Sequence, residues 1–546
     1  MQNVSLAFIE ANKAPIRQTS ARVTFELVDP NAYTDLTISN SDECLLSSSK
    51  QLTDKVRQTT YHFATLEPDF FKLDGSFSIV DPEYLDDEVG YISNLICNQQ
   101  GDFDYPINLE FRFSDLISSP GLTLTFDTKL NEFGDSFRIE VYRDDDLIFV
   151  KEVTGNLQPI YELEESLDRY TKVVVTISKW CRGNRRARVV EVDFGLLKVF
   201  SDQELIKVDL LEELDTINNV IASNELRFTI DNQDRSFNIL NPTGIYRFLK
   251  ERQEVTCEFG VRIDEKRVEM VKMGSFYLNE WQVDEGALTA TFTAYDITQA
   301  LERYNYESGL SYTASAYALC VGILNRCRIE KYKIDESLRM IYLNQQSETI
   351  TCREALQLIA IASLSVVYQD REGYLRIEPL EGIIKRERYL CYAGDEAITG
   401  VSVPEIDNEA YSKTIDLDNA YSVPQIKLST SIEQIIVHYK VNQQERTYQL
   451  KSTLSRSIQV EGKTATLTNP FIADEETAKK VALWLFEELK LNAEYTSNWR
   501  GNAAFECGDR IFIEDGFKTI FQSRIIKQEF NYSGYLKCTT TTKGSV

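Results

Sequence analysis

The sequence predicts a mostly β, multidomain chain of antiparallel barrels and sandwiches with a few short helices. Three observations predict it. Short runs with period-two alternation recur, such as Leu226, Phe228 and Ile230, separated by turns rich in Gly, Asn, Asp and Pro. The aromatic load, 28 Tyr and 28 Phe against 4 Met, suits pleated strands better than helical bundles. The length of 546 residues, 43% of them hydrophobic, corresponds to about three to four domains.

Within residues 1–82, Val23 to Val28 (VTFELV) reads as a strand and Thr34 to Asp54 as a long polar loop. Gly75 after Asp74 marks a turn. Residues 83–200 read as a self-contained sandwich. Its strands are expected at Leu109 to Phe113, Leu122 to Phe126, Phe137 to Tyr142, Leu147 to Val150, Val173 to Ile177 and Val189 to Phe194. Pro120-Gly121, Asn131 to Gly134 and the hairpin Arg143 to Asp146 supply the turns.

Residues 201–300 form the next β module. Leu205 to Leu214 leads into Leu226 to Ile230, then a polar turn and Asn241-Pro242-Thr243-Gly244 before Ile245 to Lys250. Gln253 to Val261 and Ala287 to Ala294 alternate again.

Residues 301–430 read as α+β. Tyr317, Cys320, Val321, Leu324 and Cys327 have helical spacing, with Thr313 or Ser315 as N-cap. Thr351-Cys352-Arg353-Glu354 is a capping box ahead of Ala355, Leu356, Ile359 and Ala360. Ser365 to Tyr368 and Tyr374 to Ile377 then form a hairpin about Asp370 to Gly373. Residues 431–546 read as a C-terminal barrel with one helix. Strands are expected at Ile432 to Lys440, Arg446 to Leu450, Ser457 to Val460 and Thr464 to Leu467. Asp474 caps a helix burying Ala478, Val481, Leu485 and Leu489, and Gly501, Gly508 and Gly516 mark later turns.

Several segments carry a resemblance. ELRFTIDNQDRSFNILNP, FLKERQEV, MGSFYLNEW and TFTAYD, in 225–296, resemble a module of phage and phage-like tail proteins, mainly those of Gram-positive hosts. ATLEPDFFKLDGSF, REALQLIAIASLSVVYQDREGYLRI and WRGNAAFECGDRIFIED resemble other parts of the same tail-tip or baseplate hub proteins. GLTLTFDTKLNEFGDSFRIEVYRDDDLI and KWCRGNRRARVVEVDFG, in 83–200, resemble the carbohydrate-binding-like jelly roll inserted in them. The resemblance implies a tail-hub-like architecture in the tail tip or baseplate of a particle, and, because it resumes at Leu205, that segment 1–82 is part of an interrupted barrel with 201–300. It also implies other tail or baseplate proteins as partners, and a homo-oligomeric ring, trimer or hexamer. Host cell-wall glycan is a further partner of the jelly roll if that domain is an adhesin.

Net charge is −26, from 85 acidic against 59 basic residues, which opposes the phosphate contacts of a nucleic-acid binder. The chain has no run of the roughly 20 apolar residues that span a bilayer. The first 20 residues include Glu10, Lys13 and Arg17 and do not read as a signal peptide, so synthesis in a bacterial cytoplasm is expected. Ten cysteines without a CxxC pair, and two histidines, read as reduced thiols and not as zinc ligands.

No catalytic residue, metal ligand or cofactor is expected. His62 and His438 neighbour no GxSxG or HExxH pattern, and Asp144, Asp145 and Asp146 read as a hairpin turn. Tyr91, Phe103, Tyr105, Phe133, Tyr142 and Trp180 are the aromatics from which a sugar-binding face on the jelly roll could be built. The candidate site is CRGNRRAR, the one basic cluster of an acidic chain: Arg182, Arg185, Arg186 and Arg188 are expected to be exposed and to dock an acidic neighbouring subunit or an anionic wall polymer, the alternative being a strand edge protected by its charge. The functional expectation is a structural, hub-like tail component. The alternatives are a glycan-binding adhesin and, third, a cell-wall hydrolase.

Overall fold

The structure is a computed structural model. It describes residues 1–546 except 34, 58, 60–61, 73–76, 79–88, 239, 242–243, 266, 285, 287, 307–312, 345–349, 381–390, 394–395, 399–412, 430–431, 442–443, 452–462, 518–519 and 545–546. The expected turn at Asp74-Gly75, the strand at Ser457 to Val460, and Pro242-Thr243 lie outside the described residues. The chain divides into two compact units, one of Met1–Val23, Phe200–Gln233 and Val255–Val546, the other of Thr24–Val199 and Asp234–Glu254.

The first unit is built on a long mixed sheet. Its strands run in the order Glu254–Arg262, Val268–Asp284, Thr289–Tyr295, Glu225–Asp231, Leu205–Glu213, Ile520–Tyr532, Leu536–Gly544, Ala493–Trp499 and Gln425–Leu428. The first half of Thr19–Val28 lies beside Glu254–Arg262, where Arg262 N–H donates to Gln18 O at 2.9 Å and Arg22 pairs with Glu258. Strand formation follows alternation: Leu226, Phe228 and Ile230 are fully buried, and Phe228 stacks on its cross-strand partner Phe292 at 5.0 Å.

Helices Ala316–Arg326, Cys352–Ala362 and Glu475–Leu489 form with the caps expected, Ser315, the Thr351/Glu354 box and Asp474. They bury Leu324, Leu356, Ile359 and Val481 in one core with Ile435 and Val437 of the strand Ile432–Val441. Residues from both sides of the boundary expected at 430/431 share this core. A helix Leu6–Lys13, capped by Ser5, was not expected from the sequence.

The second unit is a two-sheet antiparallel sandwich. One sheet runs Thr37–Asn40, Asp102–Ser119, Leu167–Trp180, Gly134–Arg143, Asp146–Val153. The other runs Ile160–Leu163, Leu122–Phe126, Arg186–Asp193, Tyr91–Ile96. Phe111, Phe126, Phe137, Tyr170, Trp180 and Phe194 fill the space between them, with Phe126 edge-on to Trp180 at 5.7 Å.

Asp102–Ser119 extends well beyond the expected five residues because Phe103, Ile107, Leu109, Phe111 and Phe113 keep pointing inward past Pro106. Thr37–Asn40 is a strand inside the segment expected to be a polar loop; it pairs with Arg112 to Leu109 and completes the sheet. Residues 24–82 and 234–254, read from the sequence as outside the sandwich domain, belong to this unit. The ion pairs Lys55–Glu26, Lys55–Glu254 and Lys250–Asp29 tie them together.

Candidate functional site

The run CRGNRRAR carries the chain from Leu167–Trp180 into Arg186–Asp193 by a tight turn. Asn184 has φ 59°, and a Cβ at Gly183 would come within 2.2 Å of Gln99 O, so only glycine fits there. That turn points the arginines in different directions.

Arg185 is buried. Its Nε donates to Glu132 Oε1 at 3.2 Å, Nη1 to Pro68 O at 2.6 Å and Nη2 to Asp69 O at 3.3 Å. Arg188, also buried, grips Glu67 with both prongs, Nη1 to Oε1 at 2.9 Å and Nη2 to Oε2. Its guanidinium lies 4.2 Å from the centroid of Phe70, and that of Arg185 lies 5.3 Å away. Burial works to raise the Glu67 carboxyl, but the hydrogen bonds and charge of Arg188 outweigh it and hold it below the usual range.

Arg186 is half-buried; its N–H donates to Glu67 Oε1 at 2.8 Å and its Nη1 to Ser93 O at 2.8 Å. Arg182 alone is largely exposed, 3.6 Å from Glu132 Oε1. The expected exposed cluster is thus corrected. Arg185 and Arg188 are spent within their own chain, clamping residues 65–70 against the sandwich. A buried guanidinium is tolerated only when paired and hydrogen-bonded, and its acceptors here include Glu67 and Pro68, more than a hundred residues upstream, and Glu132.

A second charged cluster in this unit joins Arg57 to Asp193 (Nε–Oδ2 3.0 Å, Nη2–Oδ1 2.6 Å) and to Glu26 Oε1 at 2.7 Å. Nearby, Glu191 accepts from Lys55 N–H at 3.1 Å, while its Oε1 has no partner among the described residues. Burial first, then the charge of Asp193, pushes the Glu191 carboxyl well above its ordinary value. In the first unit, Arg371 pairs with Glu212, and Arg524 with Glu488 at 3.3 Å, all deep in the fold. None of these pairs was visible in the sequence, since nothing local marks a buried Arg.

His62 Nε2 lies 2.8 Å from Asp127 Oδ2, both buried, beside a cavity of about 10 Å3 lined also by Phe70 and Arg188. That is room for one water at most. His438 Nδ1 meets Thr447 Oγ1 at 3.0 Å on a strand face. Among the described residues, no group of three or more His, Cys, Asp or Glu is placed to hold a metal ion. Cys97, Cys257, Cys320, Cys327, Cys352 and Cys538 are buried free thiols, whereas Cys181 is exposed.

Of the six aromatics named for a sugar face, Tyr91, Phe103, Phe133 and Trp180 are core residues. Tyr142 is half-buried with Lys172 Nζ 3.9 Å from its ring centroid, and Tyr105 is the exposed one. No helix among the described residues is long and apolar enough to cross a membrane.

No protein-family model matches the chain, and no curated protein matches it by sequence. Solved structures do. The chain is similar to the tail protein from Neisseria meningitidis MC58 at 12% identity and a TM-score of 0.41, over 63% of this chain and 93% of that one. It is similar to the 43 kDa tail protein of prophage MuSo2 from Shewanella oneidensis at 11% identity and a TM-score of 0.38, over 63% and 94%. The prophage tail protein gp18 from Listeria monocytogenes EGD-e is similar at 10% identity and a TM-score of 0.39, over 63% and 91%.

Proposed function

We propose that the chain is a structural, hub-like component of the tail tip or baseplate of a phage or phage-like particle. One observation carries this reading. The segments whose sequence resembles tail-hub proteins, spread from residue 225 to residue 514, join one sheet. ELRFTID forms Glu225–Asp231, MGSFYLNEW lies in Val268–Asp284, TFTAY falls in Thr289–Tyr295 and RIFIE forms Arg510–Glu514, all members of one sheet. Residues scattered over nearly 300 positions therefore build a single sheet, a form that suits a structural scaffold.

The buried ion pairs support the same reading, because they tie separate backbone segments of the chain together. In this reading the chain carries out no reaction. Its partners are other tail or baseplate proteins and copies of itself, three or six closing a ring about the tail axis. Electron microscopy of particles carrying an affinity-tagged, gold-labelled copy tests it. Label at the tail end, in several copies around the axis, is expected. Label elsewhere on the particle, or a single copy off the axis, overturns the hub assignment.

A further inference from the structure

We propose that the open flank of the sandwich, between Asp146–Val153 and Ile160–Leu163, is a docking groove for an extended peptide segment of another protein, with apolar and basic residues alternating along it. Among the described residues each of these strands ends its sheet, so each leaves a row of backbone N–H and C=O groups unpaired in the sheet. Asp146–Val153 offers eight residues without proline, and its Leu147, Ile148 and Val150 are 48%, 38% and 45% exposed. A long, apolar, uncovered edge is the template on which a strand from another chain adds.

A groove of about 680 Å3 opens beside this edge, lined by Lys151 on one side and by Tyr161, Glu162, Glu164 and Glu165 on the other. Three carboxylates against one ammonium leave it acidic. Glu164 meets Lys198 at 3.4 Å, while Glu162 and Glu165 form no ion pair among the described residues. The groove is held open by its own loop: the Asn156 amide donates to Gly134 O at 3.0 Å and to Gln158 O at 2.9 Å.

Alternation then fixes the occupant. Successive side chains of an added strand point to opposite faces. Those continuing the outer face lie beside Ile148 and Val150 and are apolar; those over the groove face the glutamates and are basic. A glycan fits less well, because the one aromatic ring of the groove, Tyr161, already packs edge-on against Phe137 at 5.0 Å. Such docking does not depend on a tail role.

The test is a titration of a labelled peptide of alternating valine and lysine with the full chain, followed by fluorescence anisotropy. Saturable binding is expected, and a peptide of alternating valine and glutamate should not bind. Glu162→Lys with Glu165→Lys, and separately Ile148→Asp, should each weaken binding roughly tenfold or more, with circular dichroism unchanged. Peptide should also slow amide hydrogen exchange within residues 146–153. Undiminished binding by either variant, protection confined to other strands, or retention of a chitooligosaccharide without any peptide binding overturns the proposal.

Discussion

Arg371 and Glu212, 159 residues apart in sequence, form a two-pronged ion pair, Nε to Oε1 and Nη2 to Oε2 both at 2.9 Å, with both side chains buried. The same guanidinium donates to Ala503 O and, at 2.6 Å, to Phe505 O, while Gln528 Nε2 reaches both Glu212 Oε2 (3.1 Å) and Phe505 O (2.9 Å). One side chain in a hairpin turn thus joins the strand Leu205–Glu213 to the loop before Arg510–Glu514.

Replacing Arg371 by Met leaves the Glu212 carboxylate buried without its counter-charge. Stability should fall by about 3–5 kcal/mol. Replacing Glu212 by Leu as well should recover part of that loss, because the uncompensated charge is gone. Urea denaturation of the three chains measures both steps. A single variant within about 1 kcal/mol of the parent would mean that the pair contributes little beyond a surface salt bridge.

The clamp at Arg185 gives a second prediction, opposite to what an exposed basic cluster would do. Arg185→Glu places a carboxylate against Glu132, Pro68 O and Asp69 O, and should destabilise the chain by about 3 kcal/mol or more. Arg182→Glu, at the exposed end of the same run, should change stability by no more than about 1 kcal/mol. Limited proteolysis should cut the Arg185→Glu chain near residues 65–70, the segment the guanidinium holds, and spare the Arg182→Glu chain.

Particular residues explain what the sequence made legible. The Thr351 box, the Asp474 cap and the hairpin at Arg143 to Asp146 were readable because each depends on neighbours within about four positions. Phe228 and Phe292 were readable as buried because alternation marks a strand's inner face. The fate of CRGNRRAR was not, since Glu67 and Glu132 decide it and nothing near residues 182–188 names them. The open flank at Asp146–Val153 was missed for the same reason: a strand becomes an edge only through the order in which sheets assemble.

Thr351 supplies the third prediction. Its hydroxyl accepts from Glu354 N–H at 3.1 Å while Glu354 Oε2 accepts from Thr351 N–H at 2.9 Å, satisfying two donors at the start of Cys352–Ala362. Thr351→Ala should cost about 1 kcal/mol, and Thr351→Ser close to nothing. Thermal unfolding followed by circular dichroism distinguishes the two; equal loss from both would assign the cost to the missing methyl group and not to the cap.

Asp296 makes stability depend on pH in a stated direction. Its Oδ1 accepts from Thr298 N–H at 3.1 Å and from the Thr298 hydroxyl at 2.5 Å, and its Oδ2 from Asn224 N–H at 3.0 Å. These bonds favour the charged carboxylate, but complete burial outweighs them and raises the group from 3.8 to about 6. The folded chain therefore holds this proton more tightly than the unfolded chain, in which the group titrates near its ordinary value of about 3.9. Its contribution is most favourable below about pH 4, declines as pH rises to about 6, and is level above that. The decline amounts to as much as roughly 3 kcal/mol, at 1.36 kcal/mol for each unit of difference. Asp296→Asn keeps an acceptor for Thr298 but cannot ionise, so its urea midpoint should fall less than the parent's between about pH 4 and pH 6. Above about pH 6 the two curves should run parallel. If the curves run parallel from pH 4 upward, Asp296 ionises in the fold as readily as in the unfolded chain, and its burial is balanced by its three hydrogen bonds.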